Sequence, residues 1–153
     1  MKELLEYRIR IIARLTEAAR EFRTACELPP DPFAQTGDGW TVHQIASHTR
    51  DVQNLVYGPR IQQTLNTEDP EFMNFDADAW MAEHYNGNEP LAQILDGFTA
   101  AVGDLCGMLG GMPPAAWSRL SRHKTLGGGL TLQLWVDRSL AHIEEHLKMV
   151  KKA

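Results

Sequence analysis

The stretch from Asn66 to Asn88 constrains the fold of this chain more than any other. It is rich in Asp and Asn, carries Pro70 and Gly87, and divides segments whose apolar residues recur at helical spacing. Bundle helices that simply alternate up and down need only short turns between them. A connection this long crosses over something or covers a site. Within it, Ala77 to Tyr85 can form a short helix presenting Trp80, Met81 and Tyr85.

Four longer helices are predicted around it. The first runs from Glu3 to about Ala25, with Leu4, Leu5, Ile9, Ile12, Leu15, Ala19 and Phe22 on its apolar face, and Pro29, Pro30 and Pro32 stop it. The second runs from Val42 to about Leu65. Thr41 caps it, Gln44 completes a capping box, and Trp40 with Ile45 supplies a hydrophobic staple. Ile45, Val52, Leu55, Val56 and Ile61 are expected inward, with a kink at Gly58-Pro59. The third starts at Pro90 and ends near Leu109, before Gly110, Gly111, Pro113 and Pro114. The fourth spans Thr131 to Lys152, its terminal lysines suiting the negative end of the helix dipole. Between the last two, Arg119 to Gly129 reads as irregular. Gly127 to Gly129 lacks the preceding strand and following Lys-Ser/Thr of a phosphate loop, so it reads as a flexible approach to the last helix. No segment alternates as a strand. The expected fold is all-α: one domain, residues 1–153, folded as a four-helix bundle.

Composition excludes several functions. A formal charge of −5 without a basic stripe argues against nucleic-acid binding. No apolar run is long enough to span a membrane, and the charged start MKELLEYRIR is no signal peptide. Cys26 and Cys106 form no CxxC and fit a reducing cytoplasm, though one bridge between them stays open.

The chemistry concentrates on three histidines. His142 and His146 are one helical turn apart on one face, from which both rings can reach one metal ion. Solvated pairs share that spacing, but this pair lies at the margin of the stripe formed by Leu132, Trp135, Ser139 and Val150. Buried imidazoles need polar partners or a metal. His48, between Ile45 and Val52, lies on the inner stripe of the second helix, ~10 Å from its start. His142 and His146 lie roughly 9–15 Å before the end of theirs. The three come level if helices two and four run antiparallel. That requires an up-down-down-up bundle with a long crossover between helices two and three, which Asn66 to Asn88 can supply.

With these residues in view, the chain resembles the DinB/YfiT-like metal-binding four-helix bundles. The resemblance rests on Trp40-Thr41-Val42 leading into a helix with His48, a glycine-rich approach, and the closing HIEEH from His142 to His146. It extends from the first helix to the end. It implies an up-down-down-up fold, frequent homodimers, and a divalent ion, nickel or zinc, held by three histidines with open positions. It also implies activity as a transferase or isomerase that uses bacillithiol, mycothiol or glutathione. On that basis the expected function is small-thiol-dependent S-transfer to a small electrophile. The alternatives are metal-dependent hydrolysis or a non-catalytic, stress-related metal-binding bundle. Neither nucleic acid nor membrane is an expected partner.

Other polar residues carry less. Arg138, one turn before His142, can hold a substrate carboxylate or pair on the surface. Asp51 can approach the site or stay solvated. His43 is ~140° around the helix from His48 and is not expected to be a ligand. His84 can line the mouth of the site or lie in solvent, and His123 gives no signal. Trp135 reads as core, Trp40 as the staple, and the cysteines as small buried residues.

Overall fold

A computed structural model describes residues 1–153. The first helix, α1 (Lys2–Glu27), buries Ile11, Leu15, Ala18, Phe22 and Cys26 along one stripe. It stops where Pro29 and Pro30 remove backbone donors. Helix α2 (Val42–Val52) begins at the expected capping box. The Gln44 N–H donates to Thr41 Oγ1 at 3.1 Å, and the Thr41 N–H donates to Gln44 Oε1 at 2.9 Å.

The second helix is not one uniform rod. A π-turn, Gln53–Tyr57, separates α2 from α3 (Gly58–Asn66). Its cause lies in Pro59, whose ring would collide with the carbonyl four residues earlier and has no N–H to offer it. Widening the turn lets the Gly58 N–H reach Gln53 O instead. A side chain at Gly58 would place its Cβ 2.8 Å from that same oxygen, so glycine is required there. The wider turn also shifts the helical register. Leu55, expected inward, is therefore 42% exposed, whereas Val52, Val56 and Ile61 stay buried.

Three further helices follow: α4 (Ala77–His84), α5 (Leu91–Gly110) and α6 (Leu132–Val150). Helix α4 buries nothing and lies within the long connection. Helix α5 buries Ile94, Leu95, Phe98, Val102, Leu105 and Leu109, as its periodicity predicts. Thr131 caps α6 by accepting from the Leu134 N–H at 3.1 Å. Helices α1 and α2 each pack on both α5 and α6, enclosing a continuous core that includes Phe22, Ile45, Phe98 and Trp135. The result is a mostly helical bundle.

The expectation of no strand is overturned. A small sheet of β1 (Glu71–Phe72), β2 (Leu120–His123) and β3 (Gly127–Thr131) is ordered β1-β2-β3, parallel between β1 and β2 and antiparallel between β2 and β3. The segment read as irregular and the glycine run read as a flexible approach are thus a hairpin. Tertiary anchoring overrides the missing alternation. Trp135 Nε1 donates to Ser121 Oγ at 2.8 Å, and Ser121 Oγ donates to Leu130 O at 2.9 Å, pinning both strands to α6. Gly127 and Gly129 have φ of 92° and 69°, which side-chain-bearing residues rarely adopt.

Candidate metal centre

The second half of α2 and the second half of α6 bring His48, His142 and His146 together. Their Nε2 atoms are 3.2 Å apart for His48 and His142, 3.1 Å for His48 and His146, and 2.9 Å for His142 and His146. One ligand atom from each lies within 4.8 Å of the others. His48 and His146 are buried and His142 is half-buried. The Trp40 ring, half-buried against the core, stands edge-on to the His48 ring at 5.3 Å. His146 Nδ1 lies 3.1 Å from Met149 Sδ, a weak acceptor that favours the proton on Nδ1 and leaves the Nε2 lone pair free.

Three converging imidazole nitrogens cannot satisfy one another. Each neutral Nε2 is either an N–H donor or a lone-pair acceptor, so at least two of the three are alike. One contact then sets lone pair against lone pair, or N–H against N–H. A cation bound by three lone pairs removes the conflict. The spacing fits as well: nitrogens 2.0–2.1 Å from one ion are about 2.9 Å apart at a right angle and about 3.3 Å apart at the tetrahedral angle.

Electrostatics keeps these rings in the neutral form that metals require. Burial, then the neighbouring His146 and His48, pushes His142 down to about 3. Burial, then His48, pushes His146 down to about 4. His48 is also lowered by burial, against the opposing pull of Asp51, Asp78 and Glu145.

The other sequence candidates sort cleanly. His43 is buried but engaged at both nitrogens, 2.7 Å from Tyr85 Oη and 2.7 Å from Glu89 O. Because a carbonyl only accepts, Nε2–H donates to Glu89 and Nδ1 accepts from the Tyr85 hydroxyl, which leaves no lone pair for a metal. Asp51 neither lines the site nor lies free in solvent. It accepts from Arg50 Nε at 3.0 Å and from Trp80 Nε1 at 3.2 Å, holding α4 against α2. His84 is exposed and stacked on Trp80. Trp135 is fully buried, as expected of core.

Beside the three histidines lies a cavity of about 340 Å³. His48 and His142 form part of its wall, and Tyr57, Arg60, His123 and Arg138 line it too. Arg138 thus borders the cavity that His48 and His142 also border. His123, Tyr57 and Arg60 were not singled out from the sequence. Their positions depend on the hairpin and the π-turn, and the only sequence hint was Gly58-Pro59. A larger groove of about 700 Å³, between the ends of α1 and α6, contains no histidine or cysteine.

Comparison of the sequence with family models and with curated proteins gives no match. Among solved structures, the fold matches YfiT from Bacillus subtilis with a TM-score of 0.75 and 25% identity, over 94% of this chain and 87% of that one. YfiT is described as a probable metal-dependent hydrolase with an unusual four-helix bundle topology. The chain has a YfiT-like fold. No helix of the chain is long and apolar enough to cross a membrane.

Proposed function

We propose that the chain is a metal-dependent enzyme in which His48, His142 and His146 hold one divalent ion, nickel or zinc, and that it transfers a small thiol to an electrophilic substrate. The observation that carries this reading is the opening of the histidine set onto the 340 Å³ cavity. Three nitrogen donors beside open space suit a catalytic metal, whereas structural zinc sites close with a fourth protein ligand. The description of YfiT as metal-dependent supports the same reading. We also read the bundle as up-down-down-up, with residues 67–90 as the crossover. In support, His48, in the first third of the rod that α2, the π-turn and α3 make together, meets histidines in the second half of α6.

When bound, such an ion lowers the pKa of a coordinated water or thiol. The chain's own residues do the rest. Burial keeps the three rings unprotonated, while Trp40 packs edge-on to His48 and Met149 holds Nδ1 of His146. Val52, Val56 and Phe75 give the cavity an apolar wall that limits water around a reacting sulfur.

Thiol transfer is favoured by what lines the cavity. Neither Cys26, sealed in the core, nor Cys106, beside Thr16 and Ile12 O, is there to supply sulfur. A dissolved thiol such as bacillithiol, mycothiol or glutathione has to bring it. No Asp or Glu lines the cavity, and a thiol that loses its proton on binding needs no carboxylate base. Hydrolysis is the second reading, favoured by the likeness to YfiT.

Cobalt-substituted protein tests the choice. Thiol ligation is expected to add an intense near-ultraviolet charge-transfer band, absent in His142→Ala, with turnover of a generic electrophile. Ester hydrolysis without any thiol-dependent band would select the hydrolase reading instead.

A further inference from the structure

We propose that Arg60, Arg138 and His123 form an oxyanion-binding subsite in the cavity beside the three histidines. The substrate therefore carries a carboxylate or phosphate group. As a statement about the substrate this rests on the enzymatic reading above; as a binding site it stands separately.

The chain is acidic overall, and its half-buried arginines other than Arg60 are paired with carboxylates, while buried Arg8 is held by Gln133 and the Pro114 carbonyl. Arg50 pairs with Asp51 and Glu89, and Arg14 with Glu21 and Glu144. Arg60 and Arg138 have no such partner. Arg60 donates to the Met73 carbonyl at 3.0 Å, and Arg138 makes no hydrogen bond or ion pair within the chain. Both are held over one ring, with Cζ of Arg60 4.8 Å and Cζ of Arg138 5.9 Å from the Trp135 centroid. Two cations are thus gathered on a buried aromatic side chain at one cavity wall, with no carboxylate among the lining residues.

His123 adds a neutral donor. Its Nδ1 accepts the N–H groups of Thr125 at 3.1 Å and Leu126 at 3.2 Å. The proton is therefore on Nε2, which has no acceptor within the chain. The hairpin that holds this ring is fastened to α6 through Ser121 and Trp135, so the donor is placed rather than mobile. Two guanidinium forks and one N–H present donors only. A carboxylate or phosphate offers acceptors only, and guanidinium forks match either geometrically. A cationic or neutral apolar ligand would leave these donors unpaired.

The test titrates inorganic phosphate and, separately, succinate into metal-free and metal-loaded protein by calorimetry. Saturable binding of either probe at one site is expected, and the preferred probe identifies the oxyanion. Arg138→Gln and Arg60→Gln are each expected to weaken it about tenfold or more. Arg122→Gln, whose side chain pairs with Asp69 and Glu71 outside the cavity, is expected to leave it unchanged. Arg138 is exposed, so its variant keeps the test decisive even where Arg60→Gln disturbs the packing on Trp135. Binding to metal-free protein that both variants weaken supports the subsite even if no metal is ever taken up. Absence of binding in both forms, or binding indifferent to Arg138→Gln, overturns it whatever the metal content.

Discussion

Nε2 of His48 lies 3.1 Å from Nε2 of His146, although 98 residues separate them in sequence. With His142 inserted at 2.9 and 3.2 Å, the triangle has no protonation pattern that satisfies all three contacts. Replacing any one with Ala is expected to reduce bound nickel or zinc to a small fraction of wild type, measured by elemental analysis of protein purified without a histidine tag. His43→Ala is expected to retain the metal. It should still lose about 1–3 kcal/mol of stability, because the Tyr85 hydroxyl and the Glu89 carbonyl lose their shared partner. Full metal content in His48→Ala would remove that ring from the site.

The same burial gives the metal-free protein a defined pH response. His142 and His146 titrate near 3 and 4 in the folded chain, and His48 below its ordinary value, while unfolded histidine titrates near 6.5. The unfolded state therefore binds more protons in between, so stability falls as pH drops below about 6.5 and keeps falling until the folded values are reached. Urea midpoints in chelator between pH 7.5 and 5, above most carboxylate titration, should decline. The decline should be shallower in His142→Ala. An unchanged slope in that variant would assign the loss to other groups.

The meeting of the three histidines was legible in the sequence because helical geometry converts spacing into position. His142 and His146 share a face by their interval, and His48 follows from its place between Ile45 and Val52. The rest of the cavity was not legible. His123 ends the run Leu120-Ser121-Arg122-His123, which has no apolar alternation. It becomes a strand only because β1 pairs beside it and Trp135 bonds to Ser121. Arg60 follows a π-turn, where an ideal 3.6-residue period no longer tells which way a side chain faces, and Leu55 was misassigned for the same reason.

That π-turn makes two glycines behave oppositely. Gly58→Ala forces a Cβ to within 2.8 Å of Gln53 O, a backbone atom that cannot move alone. The expected cost is about 1–3 kcal/mol, with changed fluorescence from Tyr57 and Trp135 around the cavity. Gly103→Ala, exposed in the middle of α5 with nothing within 4 Å, should instead stabilise by about 0.5–1 kcal/mol. Thermal midpoints of the two variants should move in opposite directions. Equal shifts would mean that the turn has enough slack to accept a side chain.

The up-down-down-up reading can be checked without any metal. If α2 and α6 are antiparallel, the residues just before α2 lie beside the end of α6. Ala34 and Lys151 do border one groove. Gln35 and Lys151 are both exposed, which makes them suitable positions for spin labels, with Cys106→Ser removing the more accessible native thiol. A parallel pair would separate the labels by about the length of α6, whose 19 residues span ~28 Å at 1.5 Å each. An antiparallel pair keeps them well inside that length, and the distance should hold in His48→Ala, because the topology depends on the core and the crossover rather than on the histidines. A separation near the full helix length would defeat the antiparallel arrangement, and with it the explanation of why His48 meets His142 and His146.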